Sequence, residues 1–338
     1  MIRTYVWVAF LATLVSLTAC GGGAGTESPE TPAPQPPQRT IDEIVIGAAN
    51  QGLDSIIVYI DDGSDITHYA AGHYDRESER PVNAEDLFKI ASISKLYIAV
   101  AVAKLVTENV IGLDDSLSLW LPELSGRIAN AEQATIRHLV EHRSGIPDFD
   151  SAPGFSWQNA HQDIEATLAL VYDLPADFAA DARYEYSNTN YLLLARVMDR
   201  VLGFSHRDYI QQAILDPLEL QHTFNTYQPD FDEQLISGYW QGLNRKGQDY
   251  QIPGGSMVAT ASDVGRFIRA LNDGSLLSAE ERQHYIYWFE HSGWLPGYQS
   301  VAGYNVSNDT VVVQFVSTTG DDSEQIANDT YQDILDTL

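Results

Sequence analysis

A serine stands three residues ahead of a lysine in Ser92-Ile93-Ser94-Lys95, at the start of SISKLYIAVAVAKLVTE (92–108), a run apolar nearly all round. On a helix this spacing puts the hydroxyl and the amine on one face, close enough for the amine to influence the hydroxyl's proton. The chemistry so allowed is nucleophilic attack by serine with lysine as proton acceptor. Ser92 could instead cap the helix, but a capping box wants Glu or Gln three residues on. Lysine in that place opposes the positive end of the helix dipole by about 0.3–1 kcal/mol, and burying its ammonium costs more unless it is paired. Lys95 is one of only four lysines, at 89, 95, 104 and 246. The pair therefore reads as chemistry rather than as a cap.

Two further clusters carry suitable side chains. Tyr186-Ser187-Asn188 lies between a polar stretch and an amphipathic helix over 191–202; taken alone it is a turn with Asn capping that helix. His291-Ser292-Gly293 precedes Trp294-Leu295-Pro296-Gly297 and a strand, and a lone His there is usually structural. His138-Leu139-Val140-Glu141-His142 has the spacing of an inverted zinc-peptidase motif. Arginines flank it and Ser144-Gly145-Ile146-Pro147 ends any helix at once, so metal is disfavoured. No G-x-S-x-G elbow occurs, which disfavours an α/β-hydrolase.

These residues need elements to hold them. A helix without a polar face belongs inside the protein, so 92–108 is expected at the centre. A helix is expected over 41–50, then a strand over 55–60, a turn at 61–64 and a strand over 66–69. The middle, roughly 105–250, carries helical patterns with long connections. Strand composition returns over 300–316, and 323–338 closes the chain as a helix. Strands at both ends and helices between give an α+β fold: an antiparallel sheet flanked by helices, with a largely helical insertion.

The 338 residues, 44% of them hydrophobic, suit one enzyme-sized domain, placed at 41–338. A formal net charge of -28 repels phosphate backbones, so nucleic acid is not an expected partner. Residues 1–19 have the layout of a secretory signal peptide: one Arg, a short apolar run, then small residues. Cys20, the only cysteine, follows, and 21–40 is a Gly-, Pro- and Thr-rich tether. Leu17-Thr18-Ala19-Cys20 resembles the lipobox of bacterial lipoproteins. That resemblance implies a lipidated Cys20 anchoring the chain to a membrane of the bacterial cell envelope. Gly21, in place of a retention Asp, favours the periplasmic side of the outer membrane.

The ordered set of S-x-x-K, Y-S-N and H-S-G resembles the serine β-lactamase and D-alanyl-D-alanine carboxypeptidase superfamily, in particular its class C-related branch. The stretches FKIASISK (88–95), TIRHLVEHRSGIPDF (135–149) and GGSMVATASDVGRF (254–267) extend the resemblance. It implies a β-lactamase/transpeptidase-like fold and an acyl-enzyme mechanism without metal or cofactor. Ser92 would be acylated, with Lys95 and Tyr186 moving its proton and a lysine ammonium stabilising the tyrosine phenolate. Asn188 would hold the substrate's acyl amide, and His291 would orient substrate and Tyr186. Gly293 belongs to the third motif and Trp294 shares the oxyanion hole through its backbone N–H. Two departures stand out: the segment 276–291 is short, so a strand there is trimmed or displaced, and Trp294 replaces a small residue and crowds the cleft. The expected acyl donor is a D-Ala-D-Ala-type or other peptidoglycan-derived peptide, or a small ester. A β-lactam is the alternative, and an inert peptidoglycan-binding protein is the reading from another class.

Overall fold

The computed structural model describes residues 39–338 apart from 79, 161, 162 and 232. The expected signal peptide, Cys20 and nearly all of the expected tether lie outside the described residues. Thr40 already belongs to the fold: it forms a reciprocal capping box with Glu43 that starts α1 (Ile41–Asn50).

Strand β1 (Ser55–Asp61) pairs antiparallel with β2 (Ile66–Gly72) on one side. Its other neighbour, also antiparallel, is β5 (Thr310–Val316), which continues through β4 (Tyr298–Asn305) to β3 (His291–Leu295) at the edge. The sheet order is thus β2-β1-β5-β4-β3. Side chains alternate across a strand, which explains the unbroken apolar run of β1. Ile56, Val58 and Ile60 pack with Val312 and Val316 against α1 and the last helix, α5 (Ser323–Thr337). Ile57 and Tyr59 face the opposite core with Val311, Val313 and Phe315. Each such Ile or Val buried contributes about 1.5–3 kcal/mol, so both layers pin the register.

The second core holds α2 (Ser94–Thr107), α3 (Asn188–Leu202) and α4 (Ala261–Asp273). Helix α2 is buried on all sides, as its composition requires. Its beginning departs from expectation: Ala91–Ile93 form a separate 3₁₀ turn and the α-helix starts at Ser94. Helix α3 likewise starts earlier than the amphipathic pattern indicated, with Asn188 as its first residue and Ser187 outside it. Between residues 276 and 290 the only regular element described is a short helix, Ala279–His284, and no strand lies outside β3.

Candidate active site

The turn before α2 sets Ser92. Ala91 adopts φ +51°, a left-handed conformation that costs a non-glycine residue about 1–3 kcal/mol. The Ser94 hydroxyl holds it, donating to the Ala91 carbonyl at 2.6 Å while accepting from the Met257 N–H at 3.3 Å. From behind, β3 presses on the same turn, and Gly293 makes this contact possible. A β-carbon there would stand 2.6 Å from the Ile90 carbonyl oxygen and 2.5 Å from Ser300 Oγ. Ser300 in turn donates to Ile90 O at 2.8 Å. The strand end carrying the third motif is thereby fastened beside the first.

Ser92 itself stays half-exposed. Its Oγ lies 3.0 Å from Lys95 Nζ and 3.0 Å from the Tyr186 hydroxyl. Lys95 is 0% exposed, and its Nζ also meets Asn188 Oδ1 at 2.8 Å and the Gly254 carbonyl at 2.9 Å. Gly254 is a glycine for a reason: at φ +76°, a β-carbon would come within 2.9 Å of Lys95 Cγ. Burial pulls the Lys95 amine down to about 7, with Asp148 and Asp150 drawing it partly back. A neutral amine has two hydrogens and one lone pair. Asn188 Oδ1 and the Gly254 carbonyl accept from it, which leaves the amine's lone pair for the Ser92 hydroxyl once the proton that burial disfavours is lost.

Tyr186 answers differently from the expectation. Burial pushes its hydroxyl well above the ordinary phenol range, and the hydrogen bond to Ser92 offsets this only in part. The resting phenol is protonated and donates to Ser92 Oγ; no phenolate is stabilised. Asn188 makes no helix cap either. Its amide nitrogen donates to Asp148 Oδ2 at 3.1 Å, which turns its oxygen toward Lys95. Asp148 and Asp150 are both pushed up by burial, and Asp150 repels charge on Asp148. Asp148 escaped the sequence reading, although it follows Pro147 inside one of the quoted stretches.

His291 also departs from its expected part. Its Nε2 meets the Tyr287 hydroxyl at 2.8 Å and its Nδ1 bonds the Ser292 carbonyl. Both ring nitrogens are engaged within the protein, so neither is offered to a substrate. The bonds run in one direction. Ser187 N–H donates to His142 Nδ1 at 3.1 Å, which makes His142 Nε2 the protonated nitrogen, 3.3 Å from Tyr287. Tyr287 then donates to His291 Nε2, and His291 Nδ1–H donates to Ser292 O. His142 stacks on Tyr186 at 4.3 Å between centroids. This relay ties the Tyr186 segment to β3. It also disposes of the zinc spacing: α-helix ends at Val140, His142 turns away at φ +54°, and His138 caps Thr135 instead.

Burial and the charge of Lys95 hold His291 down at about 3 and His142 well below its usual value. An unfolded histidine takes up a proton below about 6.5, so the unfolded state binds more protons and stability falls as pH drops below that value. In His291→Gln, the loss of unfolding free energy between pH 7 and pH 5 is expected to be smaller than in the wild type by about 2 kcal/mol. Urea melts at the two pH values measure this; equal losses would refute the assignment of a neutral His291.

Trp294 donates through its indole N–H to Glu324 at 2.9 Å and meets Trp157 and Trp240 edge to face at 5.9 and 6.3 Å. Trp157 similarly meets Tyr250 at 5.4 Å. An aromatic wall therefore extends from β3.

The profile of the Beta-lactamase family matches residues 40–288, ending just before His291. Penicillin-binding protein 4* of Bacillus subtilis (strain 168) is 26% identical over 246 residues, covering 66% of this chain and 53% of that protein. The teichoic acid D-alanine hydrolase of Staphylococcus aureus is 26% identical over 215 residues, 61% of this chain and 51% of that protein. The chain thus spans about half the length of these curated relatives. Among solved structures, the D-amino acid amidase from Ochrobactrum anthropi SV3 superposes with a TM-score of 0.76 at 22% identity, over 88% of this chain and 97% of that one. EstCE1, a hydrolase with promiscuous acyltransferase activity, gives 0.66 at 20% identity over 86% and 98%.

Proposed function

Because the chain belongs to the beta-lactamase family of serine hydrolases, we propose that it works through an acyl-enzyme on Ser92, acting on D-Ala-D-Ala-type peptides or small esters. The observation that carries the reading is Ser92 Oγ lying 3.0 Å from both Lys95 Nζ and the Tyr186 hydroxyl. Neutral Lys95 accepts the Ser92 proton as Oγ attacks the substrate carbonyl. The oxyanion is met by the backbone N–H groups of Ser92 and Trp294. Register supports the second of these. Leu295 and Tyr298 flank a two-residue turn, so ladder alternation directs the Trp294 N–H away from β4, off the sheet edge. Tyr186, in contact with Oγ, gives its proton to the leaving group and recovers one from Lys95. Water then reverses the sequence, with the same pair drawing its proton and Ser92 regaining its own.

Asn188 has its oxygen on Lys95 and its nitrogen on Asp148, so its first task is to orient the lysine; the acyl amide of a substrate would share that amide group. His291 and Gly293 position β3 rather than bind substrate through a ring nitrogen. Trp294 contributes its N–H and the near end of the aromatic wall.

The reading favours peptides and esters over β-lactams. A fused β-lactam holds its carboxylate rigidly near the third motif, and neutral, fully bonded His291 supplies no charge there. Trp294, anchored by Glu324, narrows the same place for the water that must deacylate the enzyme. Assayed side by side, small esters or D-Ala-D-Ala peptides are expected to exceed nitrocefin in kcat/KM by at least about 10²-fold, a 2.7 kcal/mol difference at the transition state. Penicillins are expected to act as slow covalent inhibitors. Nitrocefin turnover with kcat of about 1–10³ s⁻¹, with esters and peptides untouched, would replace this reading by a β-lactamase.

A further inference from the structure

We infer that Asp148, with Asp150 beside it, is the counter-charge of the acylation step: bonded to Asn188, it steadies Lys95 and stabilises the ammonium that Lys95 becomes on taking the Ser92 proton. The inference rests on the acyl-enzyme reading above and adds a positioning residue to it.

The step creates charge in a place that disfavours it. As Ser92 Oγ bonds to the substrate carbonyl carbon, the carbonyl π pair moves to its oxygen, the Oγ–H bond breaks and the proton joins the Lys95 lone pair. A neutral amine thus becomes a cation in the core, where Lys95 is fully buried, and an uncompensated buried ammonium is costly. Among the described residues, the other titratable groups facing it carry no negative charge. Burial holds His142 and His291 neutral. It also keeps the hydroxyls of Tyr186 and Tyr191 protonated, their ring centres 5.1 and 5.4 Å from Lys95 Nζ. Asp148 and Asp150 are the carboxyl groups whose charge acts on Lys95, and both draw its basicity upward.

The first turn of α3 places Asp148 for this. Asn188 Nδ2 donates to Asp148 Oδ2 at 3.1 Å while Asn188 Oδ1 accepts from Lys95 Nζ at 2.8 Å, so one planar amide joins carboxylate to amine. Thr189 holds the residues on either side of Asp148: its Oγ1 donates to Pro147 O at 2.8 Å and accepts from the Phe149 N–H at 2.9 Å. Asn190 accepts from Ser144 Oγ at 2.6 Å, and three successive helix residues thereby clamp the segment 144–149. Asp150 lies against Asp148, its N–H 3.5 Å from Asp148 Oδ1, and its own Oδ1 accepts from Ser151 Oγ at 3.1 Å. An amide whose N–H is given to a carboxylate is polarised toward its oxygen, and here that oxygen meets the amine. Burial and Asp150 raise Asp148 to about 7, so its carboxylate forms over the same pH range in which Lys95 turns neutral and reactive. The negative charge is therefore fixed in place before the proton moves, as preorganised electrostatic stabilisation requires.

The test is the pH profile of kcat/KM for a neutral p-nitrophenyl ester, with kcat and KM resolved, in wild type, Asp148→Asn and Asp150→Asn, beside fluorophosphonate labelling. Asp148→Asn keeps an oxygen for the Asn188 N–H and removes the charge. The ammonium is then less favoured, so the rising limb of the profile is expected to move to lower pH by about one unit. Plateau kcat should fall by about 10-fold with KM little changed. Asp150→Asn leaves the Asp148–Asn188 bond in place and should move the limb the same way by less; it decides the matter if Asp148→Asn does not fold. A limb that keeps its wild-type position in the folded variant, with or without a loss of rate, would overturn the counter-charge role alone, provided wild type labels at Ser92. Absence of labelling in wild type would overturn the acyl-enzyme reading and this one with it.

Discussion

Lys95→Met is expected to lower kcat/KM for every acyl donor by about 10³-fold, within the range general-base catalysis contributes. Methionine fills much the same volume and leaves no group to take the Ser92 proton. The wild-type pH profile carries the sign. Lys95 is held down at about 7 by burial, so the neutral, reactive amine grows as pH rises through about 7, and kcat/KM should rise with it and then level. Below that pH the ammonium holds a third hydrogen where the site offers a hydroxyl proton, and the rate falls. The residual activity of Lys95→Met should lack this inflection. A variant retaining both the inflection and near wild-type kcat/KM would show that the proton goes elsewhere.

The same burial bears on stability. An unfolded lysine titrates near 10.4, so between about 7 and 10 the unfolded chain binds one more proton at this position. This residue's contribution therefore makes the fold more stable as pH rises across that window. At lower pH the protein keeps a buried amine whose charge the core disfavours. That cost belongs to the site, as does the left-handed Ala91 beside it, and local rules tend to be broken at functional positions.

How far the sequence speaks for this arrangement varies with the range of the interaction. The strands at the two ends of the chain were legible because Ile56–Ile60 and most of β5 are apolar, and a buried helix was legible in 94–107 because it lacks a polar face. The Ser92–Lys95 pair was legible because both partners lie in one turn of chain. Asn188 could be chosen, but its partners could not: Asp148 lies 40 residues upstream, and no local pattern brings a carboxylate to an amide across that distance. Tyr287 sits in a short aromatic stretch that reads as core. Its role arises only because His142 and His291, 145 and 4 residues away, converge on one hydroxyl. His291 showed the opposite problem: the motif singled it out and its ring lies 6.4 Å from that of Tyr186, yet only the relay reveals that both nitrogens are already bonded. The start of α2 was misplaced by two residues because apolar composition does not distinguish a 3₁₀ turn from an α-turn.

The account stands most directly on one measurement. Purified wild-type protein is incubated with a fluorophosphonate, weighed intact and digested, in parallel with Ser92→Ala. The expected result is a single adduct on the wild type that maps to the peptide containing Ser92, no adduct on Ser92→Ala, and a loss of hydrolysis in that variant by about 10⁴-fold or more. An adduct of equal yield on Ser92→Ala, or one on the wild type mapping to another residue, would contradict the assignment of Ser92 as the nucleophile.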